Sequence, residues 1–136
     1  MSAADNKALI REIFEGVARG DGAAFVAALA DDVIMTVTGQ YSWSQTFTGK
    51  PAVLRDLYGY VGSLMAAPGK TLPTRFLADE DWVVVEARGD MLTKTGQRYD
   101  NHYCLMYRLA DGKIAEIREY QDSALCERVL GPYPPR

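Results

Sequence analysis

The spacing of apolar residues changes once along this chain, and that change limits the folds open to it. Up to about residue 65 the apolar positions recur at helical intervals. Leu9, Ile10, Ile13, Phe14 and Val17 form one stripe, with Lys7, Arg11, Glu12 and Glu15 on the other side, and Leu54, Leu57, Tyr58, Val61, Leu64 and Met65 form another. From Lys70 onward the interval becomes two, the signature of strands. Strands are predicted over residues 71–78, 82–92, 98–109 and 113–121. The turns between them are Asp79-Glu80-Asp81, Lys94-Thr95-Gly96-Gln97 and Ala110-Asp111-Gly112. Short turns favour pairing of sequential strands as antiparallel neighbours. Helices first and strands after describe an α+β fold, with a curved antiparallel sheet wrapped around the N-terminal helices. Such a cone encloses an internal pocket.

The helix boundaries carry their own chemistry. Gly20 stops the first helix, and Asp21 is placed to cap a short second one that buries Phe25, Ala28 and Leu29. Val33 to Thr38, rich in β-branched residues, reads as a strand, and Gly39 to Thr48 as a polar and aromatic loop. Pro51 sits in the first turn of the third helix, which Gly59 and Gly62 weaken while permitting a close backbone approach. Asp122 is positioned to cap a last helical turn, and Pro132, Pro134 and Pro135 end regular structure.

At 136 residues one domain over 1–136 is expected. The net charge of −3 comes without a basic stripe, which argues against nucleic acid and against anionic membranes as partners. No apolar run is long enough to span a bilayer, and residues 1–7 carry no apolar signal core, so the expected location is the cytoplasm. Cys104 and Cys126 are read as reduced thiols. His102 is the only histidine, so no metal is expected.

Candidate chemistry lies on the later strands. Arg88 and Asp90 are two apart in the run Trp82 to Met91 and so share a face. Glu119 has the parity of Ile117 and Ala115, so it points with apolar neighbours, and a carboxylate there is either paired or pocket-facing. If the two strands share a sheet, Glu119, Arg88 and Asp90 can form an acid–arginine–acid cluster. The competing placement follows from Val83, Val85, Ala87, Gly89 and Met91. If that apolar face packs on the helices, Arg88 and Asp90 point outward and the cluster fails. Asn101 and Tyr103, on a face with Tyr99, Leu105 and Tyr107, are candidate ligand contacts or core. Met35, Val37, Trp43, Leu54, Tyr58 and Leu105 are candidates for lining a cavity.

The order of several short segments resembles the SnoaL-like polyketide cyclases, the ketosteroid isomerases and the limonene-epoxide hydrolases. The segments are Arg19-Gly20-Asp21, Leu29-Ala30-Asp31-Asp32-Val33, Phe47-Thr48-Gly49-Lys50-Pro51, Tyr99-Asp100-Asn101-His102-Tyr103, Asp111-Gly112-Lys113-Ile114 and Arg118-Glu119-Tyr120-Gln121-Asp122. The resemblance implies a cone-shaped α+β fold and a small-molecule enzyme without a cofactor, acting by acid–base catalysis on an apolar oxygenated ring compound. It implies isomerisation, cyclisation or epoxide-type hydrolysis, with Glu119 at the cyclase acid–base position and Arg88 with Asp90 at the hydrolase's arginine and second acid. Asn101 and Tyr103 would then position the ligand. The isomerase's carboxylate base, tyrosine and protonated acid are all missing, because Thr36-Val37-Thr38, Ile13-Phe14 and Leu105 stand at the matching places. The hydrolase's water-holding tyrosine and asparagine are replaced by Met35 and Val37. A non-catalytic ligand-binding or dimerisation domain of the same fold is the alternative, with a homodimer expected through the sheet face.

Overall fold

A computed structural model describes residues 1–135. Helix α1 (Ala3–Val17) starts at a capping box in which Ser2 and Asp5 satisfy each other's backbone N–H groups. Helix α2 (Ala23–Ala28) follows, with the Asp21 carboxylate accepting from Ala23 N as its sequence position suggests. Strands β1 (Leu29–Val37) and β2 (Thr46–Thr48) flank the aromatic loop. The short β2 falls within the stretch expected to be loop, and burial of Phe47 in the core favours it.

The third helical region is continuous but not uniform. Helix α3 (Lys50–Ala52) passes through wider π-type turns over Val53–Tyr58 into α4 (Gly59–Leu64). The Gly59 N–H bonds the carbonyl of Leu54, five residues back, and a Cβ at Gly59 would lie only 2.9 Å from that oxygen. A glycine is therefore required there, and π turns of this kind often sit beside functional sites.

Strands β3 (Lys70–Asp79), β4 (Trp82–Asp90), β5 (His102–Ala110) and β6 (Lys113–Gln121) pair antiparallel in sequence order. The sheet order is β2-β1-β6-β5-β4-β3, and β1 runs parallel to β6. This is the expected α+β architecture, with α1 packed across β3 and β4. Strand β5 begins four residues later than the sequence pattern suggests. Residues 91–101 instead form a loose hairpin joined by isolated bridges, one of which ties Thr93 to Met65. Helix α5 (Ser123–Leu130) is capped by Asp122, whose carboxylate accepts from Leu125 N. No helix among the described residues is long and apolar enough to cross a membrane.

Strand parity decides which side chains enter the cone. On β4, Val83, Val85 and Ala87 are buried while Glu86 and Arg88 are exposed. On β5, Tyr103, Leu105, Tyr107 and Leu109 point inward. On β6 the alternation is interrupted. Ile114 pairs with Leu109 and Glu116 with Arg108, so Ala115 is an extra residue in a bulge. Ile114 and Ile117, three apart, consequently both face the core. The grouping of Ala115 with Ile117 is corrected by this bulge, whereas that of Glu119 with Ile117 stands.

Candidate functional site

The concave face of the sheet and the helices line a partly open hollow of about 140 Å³. Glu119 lies in its wall near the C-terminal end of β6, in register with Leu105 of β5 and Val37 of β1. Its backbone is fixed on the β1 side, where Thr38 donates both its N–H and its hydroxyl to the Glu119 carbonyl, each at 3.0 Å. Its carboxylate is not fixed. No side chain or backbone group among the described residues hydrogen-bonds to it or forms an ion pair with it. Burial alone pushes the carboxyl up from its ordinary value to about 7.

The surroundings of Glu119 are phenolic and apolar. Tyr58 reaches the hollow from the π-turn segment, and Tyr103 and Tyr107 flank Leu105 on β5. Burial holds all three phenols well above their usual range, and the nearby Glu119 charge adds to the effect. They are neutral hydroxyl donors at any physiological pH. Phe14, Phe25 and Leu57 supply much of the remaining wall.

The expected cluster does not form. Val85, Leu105 and Glu119 lie in one row across β4, β5 and β6, and that row faces inward. Arg88 pairs with His102 on the opposite parity, and both are exposed. Asp90 instead meets Arg98, which also holds Asp100 at 2.8 Å. The physical reason is the apolar run on β4: burying Val83, Val85 and Ala87 turns Arg88 and Asp90 to the outside. Arg88 lines only a shallow outer groove with Glu86, His102, Cys104 and Tyr120.

The predicted ligand contacts divide. Tyr103, Trp43, Tyr58 and Leu105 line the hollow. Met35, Val37 and Leu54 do not. Met35 and Val37 are fully packed core, and Leu54 is partly buried against it. Asn101 is fully buried and fully used. Its Oδ1 accepts from His102 N at 2.7 Å and Asp122 N at 3.0 Å. Its Nδ2 donates to the Tyr99 hydroxyl at 2.9 Å, to the Asp122 carbonyl at 3.1 Å and to Gln121 Oε1 at 3.2 Å. It splices the start of β5 to the start of α5 and has nothing left to offer a ligand.

Residues missed from the sequence include Gln121, Cys126 and Leu130, all in the wall. Gln121 shares the parity of Glu119, which could have flagged it. Its Nε2 donates to the Tyr41 hydroxyl at 2.8 Å, and its Oε1 accepts from Tyr99 at 3.1 Å. Among the described residues no group of three His, Cys, Asp or Glu side chains is placed to hold a metal ion.

A family model described as a SnoaL-like domain matches residues 10–117, well over half the chain. The chain belongs to the SnoaL-like family. No curated protein matches it in sequence. Among solved structures it resembles Bal32a from a soil-derived mobile gene cassette, with TM-score 0.80 and 18% identity over 93% of this chain and 97% of that one. It resembles a putative SnoaL-like polyketide cyclase from Jannaschia sp. CCS1, with TM-score 0.78 and 15% identity over 98% and 95%. It also resembles TerC co-crystallised with polyporic acid, with TM-score 0.76 and 17% identity over 92% and 97%. At these identities the likeness establishes the cone fold shared by SnoaL-like proteins and leaves the chemistry to the site.

Proposed function

We propose that the protein is a cofactor-independent enzyme that moves a proton on an apolar, oxygenated ring compound, by isomerisation or cyclisation, with Glu119 as the acid–base group. One observation carries this reading: an unpartnered carboxylate in a largely apolar hollow, with its proton affinity raised to about 7. A group tuned there can take a proton from a carbon next to a carbonyl and return it elsewhere on the same molecule. The proton leaves carbon for the Glu119 oxygen, and the electron pair moves to the carbonyl oxygen. Return of that proton to a second carbon completes an isomerisation; in a ring closure the new carbon nucleophile attacks another carbonyl, and the alkoxide so formed takes the proton back from Glu119. The description of one solved neighbour as a putative polyketide cyclase agrees with this class. Epoxide-type hydrolysis loses its support, because Arg88 and Asp90 lie outside the hollow.

Replacing Glu119 by Gln and measuring turnover of cyclic enones and polyketide-like ketones tests the proposal. Unchanged turnover removes Glu119 from the mechanism. A non-catalytic binding role is the second reading, favoured by the lack of any side chain orienting the carboxylate, and ligand binding that survives Glu119→Gln without turnover in either form supports it. We also expect two copies to pair through the outer sheet face, where Ile34, Leu72, Leu77 and Tyr120 are exposed. A mass from light scattering that stays monomeric at high concentration removes that expectation.

A further inference from the structure

One wall of the hollow is built by the end of the chain. Cys126 and Leu130 lie four apart on α5, and so on one helix face, and both line the hollow. Gly131, at φ 76°, then turns the chain back, and Tyr133 is buried. The Tyr133 ring meets Trp43 edge-on at 5.0 Å, Tyr60 at 5.5 Å and Phe47 at 5.9 Å. Trp43 also lies against Tyr60 at 5.7 Å, and its Nε1 donates to the Gly131 carbonyl at 2.8 Å. Tyr133 N donates to Ser42 Oγ at 2.8 Å, the Tyr133 hydroxyl donates to the Asp56 carbonyl, and Ser42 N donates to Glu127 at 3.1 Å. Trp43, which faces the hollow, is thus held by rings and by a hydrogen bond from its only polar atom. It has no room to swing aside.

We propose that this C-terminal clamp makes the hollow size-selective, admitting a compound with one ring and refusing two fused rings. Trp43 and Leu130 are the specificity-determining residues, and Tyr133 is a positioning residue that immobilises Trp43. The proposal rests on the reading of the hollow as the ligand site. A volume of about 140 Å³ is close to that of an apolar cavity, on the order of 150 Å³, that holds benzene. A second fused ring overfills the walled part of such a space, and a pinned wall resists the repacking that would accommodate it.

Phenol and 2-naphthol are the probes, followed by ligand-observed NMR titration of the full chain. Burial of apolar area alone would favour the larger molecule. The wild type is instead expected to prefer phenol by about tenfold or more, an order of magnitude set by the cost of overpacking. Tyr133→Ala is expected to reverse the order by freeing Trp43. Should that variant fail to fold, Leu130→Ala enlarges the same wall without touching the clamp and is expected to admit 2-naphthol. A purely structural Tyr133 would lower both affinities alike and leave their ratio unchanged, and that result overturns its positioning role. Wild-type binding of 2-naphthol as tight as that of phenol overturns the size rule alone. Binding of neither probe overturns both the size rule and the ligand site.

Discussion

Two acidic places in this molecule differ in almost everything except the functional group. Asp100, at the rim of the sheet, is half-exposed to water and held by Arg98. That hydrogen bond is the main reason its carboxyl sits below the ordinary value. Glu119, inside the cone, has no counter-charge and little water, and it is pushed up to about 7. The sign of each shift follows from which charged form the surroundings stabilise. The contrast revises the value of the cluster expected from the sequence. An arginine beside Glu119 would have drawn its carboxyl back down and left a weak base. The outward turn of Arg88 is what permits a carboxylate matched to neutral pH.

The contrast breaks most visibly in turnover. Glu119→Gln should lower kcat/KM by roughly 10³-fold, within the range general acid–base catalysis supplies, while Arg88→Gln and Asp90→Asn should leave it nearly unchanged. The wild-type kcat/KM should rise with pH to a plateau above about 7, because the base form of Glu119 is the one required. A flat profile, or equal losses at Arg88 and Glu119, would contradict the assignment. The next largest effect is structural. Asn101→Ala removes five hydrogen bonds from a fully buried position. It should cost about 2–4 kcal/mol in urea unfolding. A cost under about half of that would mean that water replaces the lost partners.

These sites were unequally legible in the sequence. The α+β class followed from the change of apolar interval at Lys70, because burial on one face imposes that interval directly. Glu119's inward parity was readable from Ile117. The outward turn of Arg88 was not, since the apolar face of Val83, Val85 and Ala87 could equally have packed on the helices or on a second copy, and only the fold shows it turned inward. What could not be read depends on contacts distant in sequence. The bulge at Ala115 is fixed by pairing with Leu109 and Arg108. The parallel pairing of β1 with β6 leaves no local trace. Asn101 was expected to position a ligand, and its structural role left no local sign because its partners at Gln121 and Asp122 come from another element. The tail was read as the end of regular structure. Tyr133 is nonetheless core, because Trp43, Tyr60 and Phe47 provide a place for its ring.

The smallest effects test the contrast through stability. The Glu119 carboxyl keeps its proton in the folded state at pH values where the unfolded chain, with an ordinary value near 4.5, has lost it. Between 4.5 and about 7 the folded state therefore binds more protons, so its stability falls as pH rises through that window and levels off above it. Fully dry surroundings would make that loss about 3 kcal/mol. Glu119 keeps some surface open to the hollow, so about 1–2 kcal/mol is the reasonable size after screening. Glu119→Gln keeps the shape and removes the charge, so it should match the wild type at low pH and exceed it by that margin above about 7. Asp100→Asn should act in the opposite sense. Its lowered carboxyl contributes stability that is present above the unfolded value and is lost as pH falls through the folded one. Exposure to water keeps that contribution small, so the variant should melt only slightly below the wild type at neutral pH and coincide with it in acid. Thermal melts of both variants between pH 4 and pH 8 decide the matter. If the two difference curves share a sign, or if the Glu119→Gln curve is flat, burial is not what sets the Glu119 carboxyl, and the case for a poised base in the hollow falls with it.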